Sequence, residues 1–167
     1  MKKLSLSCLA GAVLLIVSVS LSLAVSVHAS ARMPEFVLKN VVDGTEVDSR
    51  SFSGKVLLVS FFATWCPPCI EEIPTFIELQ TSYADEGFSV VALSVDQGGP
   101  EAVATLVGKK KINYPVLMAD EETMEKFGGV YGIPVSFLVN MEGNVVKKYP
   151  GYVPKSILQK DIQSMLN

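Results

Sequence analysis

Two blocks of the chain are apolar without interruption. Val56-Leu57-Leu58-Val59-Ser60-Phe61-Phe62 and Phe88 to Val95 are rich in β-branched and aromatic residues and too short for buried helices. Each predicts a central strand covered on both faces. Between them the pattern changes period. Ile70, Ile73, Ile77 and Tyr83 fall near one helical face, which predicts a helix from about Pro67 to Tyr83, kinked at Pro74. Pro100 opens a second helix running to Lys110. Tyr114 to Met118 reads as a short strand, and Glu121 to Phe127 as a short helix stopped by Gly128-Gly129. Val135–Val139 and Val145–Tyr149, joined through Glu142-Gly143-Asn144, predict a hairpin, and Pro154 to Leu166 a closing helix. Near the start, Phe36–Val42 and Glu46-Val47 flank Asp43-Gly44, which predicts a smaller hairpin. This order of elements is that of an α/β domain with a mixed central sheet flanked by helices.

The first 31 residues do not fit that domain. Met1-Lys2-Lys3 precedes an uncharged run from Leu4 to Val27, and small residues follow around Ala29 and Ala31. This is a secretory signal pattern. The run exceeds the roughly 7–15 residues of an ordinary signal core and approaches the ~20 that span a bilayer. Cleavage is the first expectation, and retention of residues 4–27 as a membrane anchor is the second. Lys2 and Lys3 stay in the cytoplasm in both cases, so the rest of the chain is expected outside it, in the periplasm or at the cell surface. The expected division is residues 1–31 as signal or anchor and residues 32–167 as one folded domain.

Without Lys2 and Lys3 the domain has 12 basic and 17 acidic residues and no basic patch, so nucleic acid is not an expected partner. Lys109-Lys110-Lys111 reads as a solvated helix end. Of three cysteines, Cys8 lies in the apolar segment, which leaves Cys66 and Cys69. The single histidine, His28, is also at the export boundary. Histidine-assisted nucleophilic catalysis, haem attachment through Cys-x-x-Cys-His and a four-ligand structural zinc site therefore lack their residues. No cofactor is expected beyond the Cys66–Cys69 pair itself.

Cys66 and Cys69 follow a buried strand and open a helix. Unpaired N–H groups and a partial positive charge at a helix start stabilise a thiolate there. Cys66 would attack a partner's disulfide, and Cys69, one turn inward on the same face, would resolve the mixed disulfide. A purely structural staple is the competing interpretation. So short a loop constrains the unfolded chain weakly, which favours the redox role. Pro67 and Pro68 suit a first helical turn and remove two donors near Cys66, an arrangement expected to suit a reductant better than a strong oxidant.

The run Phe61-Phe62-Ala63-Thr64-Trp65-Cys66-Pro67-Pro68-Cys69 resembles the active site of thioredoxin-fold proteins. With the export segment, Glu72, Pro74 and Gly132-Ile133-Pro134, the chain is similar to the TlpA/ResA-like branch, over about Met33 to Asn167. The resemblance implies a thioredoxin-like fold with an inserted strand–helix element between about Ser94 and Asp120. It implies extracytoplasmic reduction of protein disulfides, often for cytochrome c maturation, by a monomer recharged by a membrane-embedded thiol donor. It also implies that Pro134 is a cis-proline, that the Ile133 backbone pairs with a substrate strand, and that Glu72 tunes the buried cysteine. An ordinary turn proline and an exposed helix carboxylate like Glu71 are the plainer readings of Pro134 and Glu72. Trp65 either shapes the docking surface or packs in the core. Ser60 stands where thioredoxins proper carry a buried aspartate.

The same chemistry run as a disulfide oxidase or isomerase remains open on the residues alone. So does a peroxiredoxin-like thiol peroxidase using Thr64 before Cys66, although the only arginines are Arg32 and Arg50. A copper carrier with two soft thiolates is a further alternative.

Overall fold

The computed structural model describes residues 31–166. The expected signal or anchor segment, save for Ala31, lies outside the described residues. Among those described, no helix is long and apolar enough to cross a membrane.

Seven strands and four α-helices follow one another along the described chain. Strands β1 (Val37–Lys39) and β2 (Glu46–Asp48) form the N-terminal antiparallel hairpin. Strand β3 (Val56–Phe62) leads into helix α1 (Pro67–Tyr83), then strand β4 (Phe88–Ser94) and helix α2 (Pro100–Lys110). Strand β5 (Val116–Met118), helix α3 (Glu121–Lys126), the hairpin β6 (Val135–Val139) and β7 (Val145–Pro150), and helix α4 (Lys155–Leu166) complete the domain. The five-stranded sheet has the order β5-β4-β3-β6-β7. β4 runs parallel to β3 and β5, whereas β6 is antiparallel to β3 and β7. The expected insertion is present as α2 and β5, with β5 on the sheet edge. The N-terminal hairpin covers that edge, where Val41 N–H reaches the Val116 carbonyl at 3.0 Å.

Every residue of β3, β4 and β6 is buried, as uninterrupted apolar strands require. Alternate positions feed two cores. On one face Val56, Leu58, Phe62, Phe88, Val90 and Leu138 pack with Leu79 of α1 and Leu158 and Ile162 of α4. On the other, Leu57, Val59, Phe61, Val91, Leu93 and Phe137 pack with Phe127, Phe36 and Leu38. Each fully buried Leu or Ile removes enough apolar surface from water to contribute roughly 2 kcal/mol.

Helix α1 passes through Pro74 as one helix and does not end there. Its inward face differs from the predicted one. Cys69, Glu72, Ile73, Phe76, Leu79 and Tyr83 are buried, while Ile70 and Ile77 are half-buried on the flank. Counting isoleucines misplaced the stripe by part of a turn, because a carboxylate and a cysteine occupy two of the inward positions. The triple lysine at the end of α2 is exposed, as expected.

Candidate active site

Strand β3 ends at Phe62, and the turn that follows delivers Cys66 to the N-cap of α1. Cys66 has extended backbone angles, φ −99° and ψ 102°, and its carbonyl accepts the first helical bond from Ile70 N–H at 3.1 Å. No side chain caps the helix, and Pro67 and Pro68 fill its first positions. The start of α1 thus offers its remaining N–H groups and positive end to the sulfur of Cys66. Cys66 and Cys69 are joined as a disulfide with their Cα atoms 5.3 Å apart. Both side chains are nearly covered, Cys69 more deeply than Cys66.

The turn before Cys66 is held from the neighbouring strand. Asp96, just past β4, accepts from Thr64 N–H at 2.9 Å and from the Thr64 hydroxyl at 2.5 Å. The Ser94 hydroxyl donates to the same carboxylate at 2.8 Å. Thr64 is therefore committed to a structural clamp. Arg32 and Arg50 line a separate cavity beside Gly54 and Val139, at the opposite end of the sheet. The arrangement expected of a thiol peroxidase is not assembled here.

Glu72 is fully buried, only 1% exposed, whereas neighbouring Glu71 is exposed. The surface-carboxylate reading of Glu72 is thereby excluded. Its Oε1 accepts from Val153 N–H at 2.9 Å. Burial raises the Glu72 carboxyl to about 7, with the Val153 hydrogen bond acting in the opposite direction. A cavity of about 10 Å³ between α1 and the sheet brings Glu72 together with Cys69, Ser60 and Tyr114. Ser60, in the place of the thioredoxin aspartate, is paired across β3 and β6 with Ser136, whose hydroxyl donates to it at 2.9 Å.

The Ile133–Pro134 peptide bond is cis, and Pro134 is buried. Val135 pairs with Phe61 in the sheet register, so Pro134 lies at the same end of β3 as the cysteine turn. Ile133 packs against the core that includes both cysteines. Phe127, at the end of α3, is wedged edge-on between Phe61 and Phe137 at 5.2 and 5.0 Å, which anchors the loop leading to Pro134. Gly151 N–H donates to the Pro134 carbonyl at 2.8 Å, and two residues later Val153 reaches Glu72. One short segment thus ties the proline loop to the buried carboxylate.

Trp65 is 68% exposed, so it is not a core residue. Tyr131 and Tyr152, in the two loops just described, are exposed as well. Gly129 has φ +79°, and a Cβ there would lie 2.5 Å from the Tyr131 ring, so glycine lets that ring rest on the backbone. The sequence pattern did not single out Asp96, Tyr114, Tyr131, Ser136, Tyr152 or Val153. No spacing relates them to the cysteines, although Tyr131 stands only two residues before Ile133.

The Redoxin family profile matches residues 28–166. The thiol-disulfide oxidoreductase ResA of Bacillus thuringiensis subsp. konkukian (strain 97-27) is 30% identical over 132 residues, covering 79% of this chain and 75% of that protein. ResA of Bacillus subtilis (strain 168) is 28% identical over 134 residues, covering 80% of this chain and 73% of that protein. The crystal structure of a thiol:disulfide interchange protein of the thioredoxin family from Chlorobium tepidum TLS superposes with a TM-score of 0.76. It shares 35% identity and covers 83% of this chain and 97% of that one. The expected thioredoxin-like fold and thiol-disulfide chemistry agree with these likenesses. The chain belongs to the Redoxin family and, within the thioredoxin superfamily, to the ResA-like thiol-disulfide oxidoreductases, with Cys66 and Cys69 as its exchanging pair.

Proposed function

We propose that this chain reduces protein disulfides outside the cytoplasm and is itself recharged by a membrane-embedded thiol donor. The observation that carries the proposal is the Cys66–Cys69 disulfide at the start of α1 beside the buried carboxylate of Glu72. In the forward reaction the Cys66 thiolate attacks a partner's disulfide. A sulfur–sulfur bond to Cys66 forms, and one partner sulfur leaves as a thiolate. Cys69 then gives its proton to the Glu72 carboxylate and attacks the partner-bound sulfur of Cys66. The mixed bond breaks, the second partner sulfur leaves, and the Cys66–Cys69 bond closes. A carboxyl that titrates near 7 is suited to accept that proton and return it.

Trp65, Tyr131 and Tyr152 are exposed aromatics on the loops surrounding the pair and suit docking of a protein partner. The Ile133 backbone before the cis-proline would pair with an extended segment of that partner. Two prolines in the first turn withhold donors from Cys66, which supports the reducing direction. The apolar run after Lys2 and Lys3 supports export, with cytochrome c maturation as the expected setting and a monomer as the working unit.

Trapping with Cys69→Ser is the test. The variant should accumulate mixed disulfides through Cys66 in cells that express it, and their absence would defeat the exchange role. Equilibration with glutathione checks direction. A reductant keeps its disulfide against millimolar reduced glutathione, whereas ready reduction would assign the chain to oxidation instead.

A further inference from the structure

We propose that Tyr114 is a positioning residue of the redox site, whose hydroxyl favours the carboxylate form of Glu72 and through it governs proton uptake from Cys69. The proposal rests on the exchange role of Cys66 and Cys69 given above. Tyr114 stands two residues before β5, a different element from the one bearing Glu72. It is only 7% exposed, and its ring meets Phe76 of α1 edge-on with centroids 6.3 Å apart. The side chain thus lies between the sheet edge and the helix that carries both Cys69 and Glu72.

Polar groups in the shared cavity are few. Ser60, Cys69, Glu72 and Tyr114 supply them, and the remaining lining is apolar. The Ser60 oxygen accepts from the Ser136 hydroxyl, which leaves the Ser60 O–H as a further donor in the cavity. A cavity of about 10 Å³ has the size of a single water and excludes anything larger. Within so small a space, the dipole of a phenolic O–H acts on a neighbouring carboxylate with little screening.

The groups facing Glu72 can be named element by element. Cys69 comes from its own helix, the Ser60 hydroxyl from β3, the Val153 N–H from the segment before α4, and Tyr114 from the approach to β5. Among the described residues, Tyr114 is the titratable side chain that another element brings to this cavity. Burial, reinforced by the Glu72 charge, pushes the phenol upward. The Val153 N–H supplies the hydrogen bond that Glu72 accepts, and Tyr114 shares the cavity as a neutral phenol throughout the range in which Glu72 changes charge. A neutral donor stabilises the carboxylate form, so its loss should raise the Glu72 midpoint.

Two experiments read this separately from exchange activity. In oxidised full-length protein carrying ¹³Cζ-labelled tyrosine, the Tyr114 resonance should inflect near pH 7 and lose that inflection in Glu72→Gln. A flat Tyr114 resonance between pH 5 and 9 would overturn the proposal, and this measurement needs no thiol exchange and no Tyr114 variant. In Tyr114→Phe, the Glu72-dependent midpoint in the pH profile of disulfide closure should rise by about one unit. In the Glu72→Gln background the same substitution should leave the profile in place. An unmoved midpoint, or an equal shift without Glu72, would overturn it; a purely structural role predicts lower stability with no shift. Failure of the Cys69→Ser trap would remove the exchange role, and with it the link to Cys69, whereas the Tyr114 resonance would still report whether the phenol senses Glu72.

Discussion

Asp96 grips Thr64 twice, by the backbone N–H at 2.9 Å and by the side-chain hydroxyl at 2.5 Å, across 32 residues of sequence. Thr64 lies in the turn that presents Trp65 and Cys66, so the end of β4 fixes the geometry in which α1 begins. The Ser94 hydroxyl adds a third bond to the same carboxylate.

Asp96→Ala leaves the Thr64 N–H and two hydroxyls without that acceptor. Hydrogen bonds to a charged group are worth more than neutral ones, and the site is partly buried, so the expected loss is about 2 kcal/mol. Asp96→Asn, which retains an acceptor, should lose less. Urea unfolding of the oxidised variants measures both, and equal midpoints for Asp96→Ala and the parent would contradict the clamp.

Glu72 makes stability fall as pH rises. Its carboxyl sits near 7 in the folded chain against 4.5 for the ordinary group. Between those values the folded chain holds a proton that the unfolded chain has released. The stability that Glu72 contributes is therefore fully present below about 4.5, declines through the window and is lost above 7. The contribution lost is about 3 kcal/mol. Glu72→Gln should flatten this window in urea unfolding across pH, and a profile identical to the parent's would show that Glu72 does not titrate there.

Ser60 and Ser136 form a buried hydroxyl pair between β3 and β6. Replacing either one by Ala orphans the other, at a cost of about 1–2 kcal/mol. Replacing both removes the unpaired polar atom, so the double variant should lose less than the sum of the two single losses. Strict additivity in unfolding free energy would count against the pairing.

Trp65 is mostly exposed, so Trp65→Ala should change stability by less than about 0.5 kcal/mol. Its effect belongs to docking. Exchange with a protein disulfide should slow several-fold, while exchange with dithiothreitol stays near the parent rate. Equal slowing with both reagents would relocate Trp65 from the docking surface to the chemistry.

Much of the fold was legible because its elements are local. The unbroken apolar runs in β3 and β4 and the proline at the start of α2 each determine their own backbone with little help from distant residues. The same holds for the turn residues before β7. The Cys66-Pro-Pro-Cys69 spacing after a buried strand likewise specified the chemistry, since strand end, helix start and both sulfurs lie within a few residues. What the pattern misjudged was the inward face of α1. Hydrophobicity ranks Ile70 and Ile77 above Glu72, yet burial depends on which direction the sheet lies.

Tertiary structure alone decided the surroundings of the sulfurs. Glu72 and Glu71 are indistinguishable as letters, and only the packing of α1 on the sheet buries one and exposes the other. Asp96 reaches Thr64, Val153 reaches Glu72, and Tyr114 joins the Cys69 cavity because separate segments converge at one end of the sheet. No sequence spacing encodes such meetings. A sulfur at a helix start follows from neighbours along the chain, whereas the desolvation and hydrogen bonds that set a proton's affinity come from groups brought near in space.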